Sequence, residues 1–223
     1  QLFPHASDRH GGKAPSPLVG EGQARSARER GRHRDDQARA AALALVRNLL
    51  LITGGPGTGK TTTLARLLVL LIARHALSPF EKGGPRGICP APLRIALAAP
   101  TGRAAERMAQ SIAHARDALR KAGVDEALLD ALPLQARTLH RLLGPIPDRP
   151  RFRHDAAHPL SYDVVVVDEA SMVDLPLMCK LVEAVPDGAA LVLGGDPDQL
   201  PSVEAGDVLA AIVQAAGDAD AWP

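Results

Sequence analysis

The clearest chemistry in the chain lies in Gly54-Gly55-Pro56-Gly57-Thr58-Gly59-Lys60-Thr61, which fits the spacing G-x-x-x-x-G-K-[ST]. Glycines let a backbone curl until successive N–H groups face a polyphosphate, and a helix that starts at the end of the loop adds the positive end of its dipole. Lys60 is then placed to neutralise β- and γ-phosphates and the Thr61 hydroxyl to ligate Mg²⁺, with Thr62 counted among the nucleotide-binding residues. A glycine-rich turn can match such a pattern by chance. Here a short apolar run precedes the loop and a helical run follows it, which is the setting a phosphate loop needs.

Two further groups follow apolar runs in the same way. Val164-Val165-Val166-Val167 delivers Asp168 and Glu169 at its carboxyl end. Asp168 suits Mg²⁺ held through water, since that ion keeps much of its hydration shell, and Glu169 suits a general base that polarises an attacking water. Taken alone, the acid pair could simply open a turn, with Ser171 capping the next helix. The third group is Leu193-Gly194-Gly195-Asp196-Pro197-Asp198-Gln199-Leu200-Pro201-Ser202-Val203. The Gln199 amide can donate to a phosphate and accept from water, so its contacts would change when the phosphate leaves. By itself this segment reads equally as an Asp/Pro-rich turn with Gln199 in solvent.

The elements that must position these residues alternate along the chain. An Ala/Leu-rich helix is expected over Gln37 to Arg47, then a buried strand over Leu49 to Thr53, the glycine loop, and a helix from Thr62 to His75. Ser78 to Pro92 is a Gly/Pro-rich connection, Leu93 to Ala99 a strand, and Gly102 to Ala122 a helix by its apolar spacing. Arg149 to Pro159 lacks a pattern and reads as a loop or small inserted element. A strand over Asp163 to Val167, a helix over Leu175 to Val185 and a strand from Ala190 to Leu193, ending at Gly194, complete the order. Nearly all-apolar strands alternating with helices predict an α/β fold with a mostly parallel sheet covered by helices on both faces.

Composition limits the remaining classes. Of 223 residues 46% are hydrophobic, enough for a packed core, and the formal net charge is +1. Residues 1–34 hold seven Arg or Lys against three Asp or Glu, so the remainder carries 19 basic and 22 acidic residues. Any nucleic-acid contact by the folded part must therefore come from a local groove. The first 34 residues are rich in Gly, Pro and Arg without apolar periodicity and are expected to be a disordered basic extension ahead of a folded domain over 35–223. Cys89 and Cys179 are isolated, without metal-ligand or disulfide spacing, which fits a reducing cytoplasm. The longest apolar stretch, Leu64 to Ala73, contains Arg66 and is too short for a bilayer, so no membrane association is expected.

The three groups, in this order, resemble the N-terminal motor domain of superfamily 1 DNA helicases. GGPGTGKTTT, AAPTGRAAERM, TLHRLLG, VVVDEASMVDLPLM and GGDPDQLPSVEAG together are similar to the RecD family, the alpha subunit of exodeoxyribonuclease V and its stand-alone relatives, over roughly Gln37 to Leu209. The resemblance implies a RecA-like P-loop NTPase domain that uses ATP and Mg²⁺, acts on single-stranded DNA in recombination and repair with 5′-to-3′ polarity, and in some members works beside other exodeoxyribonuclease V subunits. It also implies residue roles that spacing alone does not give. Gln37 matches the glutamine that reads adenine. Pro100, Thr101, Gly102 and Arg103 match a segment that grips the DNA backbone, and Thr138 and His140 match a second DNA-contacting segment. Outside the resemblance, Gln37 reads as an exposed helix residue, His140 as a partly buried structural histidine, and Arg137 has no assigned role.

Such helicases resemble two stacked RecA-like domains, the second of which supplies an arginine to the ATP cleft. This sequence ends at Pro223, soon after the third group, so the expectation is a fragment that binds Mg·ATP weakly, hydrolyses it slowly and does not unwind DNA alone. Two other classes stand beside this one: a non-catalytic nucleotide- or partner-binding module, and a P-loop kinase acting on a small acceptor.

Overall fold

The computed structural model describes residues 48–55, 58–77, 92–149, 151–196 and 208–216. The expected helix Gln37 to Arg47, the extension 1–34 and nearly all of the Ser78 to Pro92 connection lie outside them.

Five strands, β1 (Leu49–Thr53), β2 (Ile95–Ala99), β3 (Ala136–Thr138), β4 (Val164–Val167) and β5 (Ala190–Gly195), form one sheet in the order β1-β5-β4-β2-β3. Every pairing is parallel. The period of two divides the side chains between two cores. Val164 and Val166 join Leu50, Ile52, Leu97 and Val192 on one face, while Val165 and Val167 join Ala96, Ala98, Leu191 and Leu193 on the other. Burial on both faces is why these strands read as unbroken apolar runs. β3 was not foreseen, because Ala-Arg-Thr has no such run. As an edge strand paired only to β2, it leaves Arg137 exposed.

Among the described residues six helices cover the sheet: α1 (Lys60–Leu77), α2 (Gly102–Lys121), α3 (Glu126–Asp130), α4 (Leu139–Leu143), α5 (Leu175–Ala184) and α6 (Val208–Ala216). α1, α2 and α3 bury Leu64, Leu68, Met108, Ile112 and Leu129 against the first face. α4, α5 and α6 bury Leu139, Leu143, Met178, Leu181 and Leu209 against the second. The chain crosses the sheet from β1 through β2 to β3 and then returns to β4 and β5. A constant crossover hand makes the helices change face when the direction reverses. Of these helices α3, α4 and α6 were not anticipated; α3 and α4 have five residues each, too few for periodicity to register. Among the described residues, no helix is long and apolar enough to cross a membrane.

Two local structures frame the sheet. At its amino edge, just ahead of β2 and β4, Asp163 is clamped by Arg94. The Arg94 backbone N and Nε donate to Oδ2 at 2.8 and 3.1 Å, and Nη2 donates to Oδ1 at 2.8 Å. Near β3, the region expected as a loop or small insert doubles back: Pro145 and Phe152 form an antiparallel bridge, with Arg153 N donating to Gly144 O at 2.7 Å and Ile146 N to Arg151 O at 3.2 Å.

Candidate active site

Because all five strands are parallel, their carboxyl ends lie along one edge of the sheet, where ligands of open α/β sheets bind. β1 runs there into Gly54, β4 into Asp168 and Glu169, β5 into Asp196, and β2 into Pro100 and Thr101. Gly54 N donates to Gly195 O at 3.2 Å, so β1 and β5 stay paired into the glycine loop. The loop then turns. Gly54 has φ +155°, a Cβ there would lie 2.9 Å from Thr58 Oγ1, and the Thr58 hydroxyl donates to Gly55 O at 2.8 Å. Lys60 opens α1 and its ammonium donates to Gly54 O, which folds the cation back over the loop. Gly55, Gly59, Thr61 and Thr62 sit with them at the start of the helix, and the Thr63 hydroxyl donates back to Gly59 O at 3.1 Å. Pro56 and Gly57 lie outside the described residues, as do Gln37 and Gln199.

Asp168 is only 9% exposed, and its Oδ1 accepts from Glu169 N at 2.9 Å. Burial pushes its carboxyl above the ordinary range; the Glu169 amide opposes this, the Glu169 charge adds to it, and Lys60 opposes it. A cation at this position would favour the ionised carboxylate that burial disfavours. Gly194 keeps a side chain away from this carboxylate: a Cβ there would stand 3.1 Å from Asp168 Oδ1. Glu169 itself has φ +54° and ψ +37°, a left-handed conformation that a glutamate adopts only when its surroundings impose it. It leads into a 3₁₀ turn, Ala170–Met172. The cap of α5 belongs to Asp174, whose side chain accepts from Leu177 N at 2.8 Å, so the alternative reading of Ser171 as that cap does not hold.

The two segments expected to meet DNA lie side by side, because Ala99 of β2 pairs with Thr138 of β3. Both threonines cap helices: Thr101 Oγ1 accepts from Ala104 N at 3.2 Å, and Thr138 Oγ1 from Arg141 N at 3.3 Å. Thr101, Gly102 and Arg103 are exposed, and Pro100 is half-buried. His140 is exposed rather than partly buried and meets the Phe152 ring edge to face, with centroids 5.8 Å apart. Sequence reasoning overlooked its neighbours Arg141, Arg149, Arg151 and Arg153. All four are exposed, and among the described residues none is in an ion pair. The run R-P-R-F-R was the available signal. Asp196 was also passed over, although it is 6% exposed and its Oδ2 lies 3.9 Å from the Cβ position of Gly55.

A parallel sheet with helices on both faces, a glycine loop opening a helix and an acid pair at the end of β4 define a RecA-like α/β P-loop domain. The family model described as AAA domain matches residues 37–205, and the chain belongs to that family. The RecD resemblance is specific within it. The chain is 51% identical over 184 residues to the RecBCD enzyme subunit RecD of Mycolicibacterium smegmatis, covering 82% of this chain and 31% of that protein. It is 39% identical over 168 residues to the ATP-dependent RecD2 DNA helicase of Deinococcus radiodurans, covering 75% of this chain and 18% of that protein. The chain thus spans less than a third of the length of these relatives. A solved structure of two coordinating Pif1 helicases at forked double-stranded DNA aligns at 23% identity and a TM-score of 0.42, over 80% of this chain and 37% of that one.

Proposed function

We propose that the chain is the ATP-binding and ATP-hydrolysing motor domain of a RecD-type DNA helicase acting in recombination and repair. The observation that carries this reading is the buried Asp168 carboxyl, next to a Glu169 held in a strained conformation, at the same sheet edge as the Lys60 loop. Lys60, the loop amides and the N-terminus of α1 bind the phosphates of ATP. Thr61 and Asp168 would hold Mg²⁺, which would supply charge neutralisation at the phosphates. Glu169 accepts the proton of the attacking water, and Gln199 responds to the γ-phosphate. Gln37 reads the base.

The DNA path runs over the carboxyl ends of β2 and β3. Pro100, Thr101, Gly102, Arg103, Thr138 and His140 meet the single strand there, and the exposed arginines of the Gly144–Arg153 hairpin add phosphate-directed charge that the chain as a whole lacks. The proposal extends to 5′-to-3′ polarity, a cytoplasmic location and assembly with other exodeoxyribonuclease V subunits; similarity to a protein named RecBCD enzyme subunit RecD supports the last of these.

Single-turnover ATPase assays with and without single-stranded DNA test this reading. Glu169→Gln is expected to lower the hydrolysis rate by about 10²- to 10⁴-fold while nucleotide binding persists. Hydrolysis unchanged by that substitution removes Glu169 as the base. A wild type that binds ATP without hydrolysing it supports a non-catalytic binding module instead.

A further inference from the structure

Ser171 has a buried side chain and no assigned task. It is 3% exposed, and its Oγ finds no hydrogen-bond partner among the described residues. The helix-cap role that its position suggested is filled by Asp174. A native hydroxyl left unpaired in a core is unusual and disfavours the folded state, so its retention calls for a use.

Its location supplies one. Ser171 is the second residue after Glu169, in the turn fixed by Met172 N donating to Glu169 O at 3.0 Å and Val173 N to Ala170 O at 3.1 Å. That turn lies flat on the exit of β5: a Cβ on Gly195 would be 3.1 Å from Ser171 N and 3.4 Å from Ala170 N. Leu209 of α6, fully buried, closes the same point, with its Cδ2 only 2.4 Å from that Cβ position. The next residue, Asp196, extends its carboxylate toward Gly55 of the phosphate loop. Ser171 therefore stands where the turn carrying the acid pair meets the segment whose Asp196 carboxylate faces the glycine loop.

We propose that Ser171 is a positioning residue whose hydroxyl couples the Glu169 turn to the Gly195–Asp196 segment, taking its hydrogen bond there when a nucleoside triphosphate fills the loop. This rests on the carboxyl edge being an ATP site. In the empty protein the hydroxyl is a small liability. In the filled one it holds Glu169 and the β5 exit in register, so that the general base faces the γ-phosphate only when that phosphate is present. Removing the hydroxyl should therefore stabilise the empty protein and weaken the triphosphate-bound one, a pair of opposite effects that an inert buried serine would not produce.

The test is thermal melting and fluorescence titration of this chain and its Ser171→Ala variant with mant-ATP and mant-ADP, in the presence of Mg²⁺. The expected result is a melting temperature raised by about 2–4 °C without nucleotide. Mant-ATP affinity should fall by about three- to tenfold, with mant-ADP affinity little changed. A raised melting temperature with unchanged mant-ATP affinity overturns the proposal, because the hydroxyl is then an inert buried group. A lowered melting temperature overturns it too, because the hydroxyl then has a partner in the empty protein. Absence of mant-ATP binding by the wild type overturns the ATP-site reading itself and is recognisable as such.

Discussion

The two ends of strand β4 differ in kind. At its amino end Asp163 accepts three hydrogen bonds from Arg94, and this pairing holds its carboxyl below the ordinary range. At its carboxyl end, five residues on, Asp168 is buried, its carboxyl is pushed up, Glu169 is left-handed and the Ser171 hydroxyl has no partner among the described residues. One edge satisfies its polar groups within the fold; the other holds a buried carboxyl and a hydroxyl without a partner among the described residues, as the proposed cation and phosphate site requires. A folded chain keeps such an under-satisfied edge where function selects it, and packing elsewhere supplies the stability.

Substitutions at the two edges should differ in the size of their effect. The largest effect is expected at Gly195, where a side chain would collide with Leu209 and press on the backbone of Ser171. Gly195→Ala should cost about 1–3 kcal/mol and lower the melting temperature by about 2–10 °C, followed by circular dichroism. An unaltered melting temperature would mean that the turn is not seated on β5 as described. The smallest effect is at the amino edge. Asp163→Asn should lower the melting temperature by no more than a few degrees, because the Arg94 pair is largely solvent-exposed. The sign of its pH dependence is fixed: a carboxyl with a lowered folded pKa gives stability that is present above its unfolded pKa and lost as pH falls through the folded one. Melting curves of wild type and Asp163→Asn should therefore converge on acidification, and a gap that widens would contradict the pairing.

Much of this contrast was legible in the residues. Val164 to Val167 announced a doubly buried strand, and the acids directly after it could only emerge at the strand's carboxyl edge. Gly54 to Thr61 declared its loop by spacing. Strand and helix bounds came within about two residues, since burial on both faces leaves a signal that chain ends blur only slightly. What stayed hidden depends on neighbours distant in sequence. The role of Gly195 is set by α6 and the 3₁₀ turn. The choice of Asp174 over Ser171 as cap turns on where the helix begins, and Thr138 shows its capping role only once the five-residue α4 is known. The basic hairpin beside His140 was passed over because charge without periodicity reads as loop.

Thermal melting of the wild type and Asp168→Asn, each with and without saturating Mg·ATP, tests the division between the two edges most directly. Removing the buried charge should raise the melting temperature of the empty protein by about 2 °C or more. Mg·ATP at about a hundred times its Kd should raise the wild type by about 5–10 °C and leave Asp168→Asn nearly unmoved. A wild type indifferent to Mg·ATP, or a variant less stable than the wild type when empty, would contradict a carboxyl edge built for a cation and phosphates.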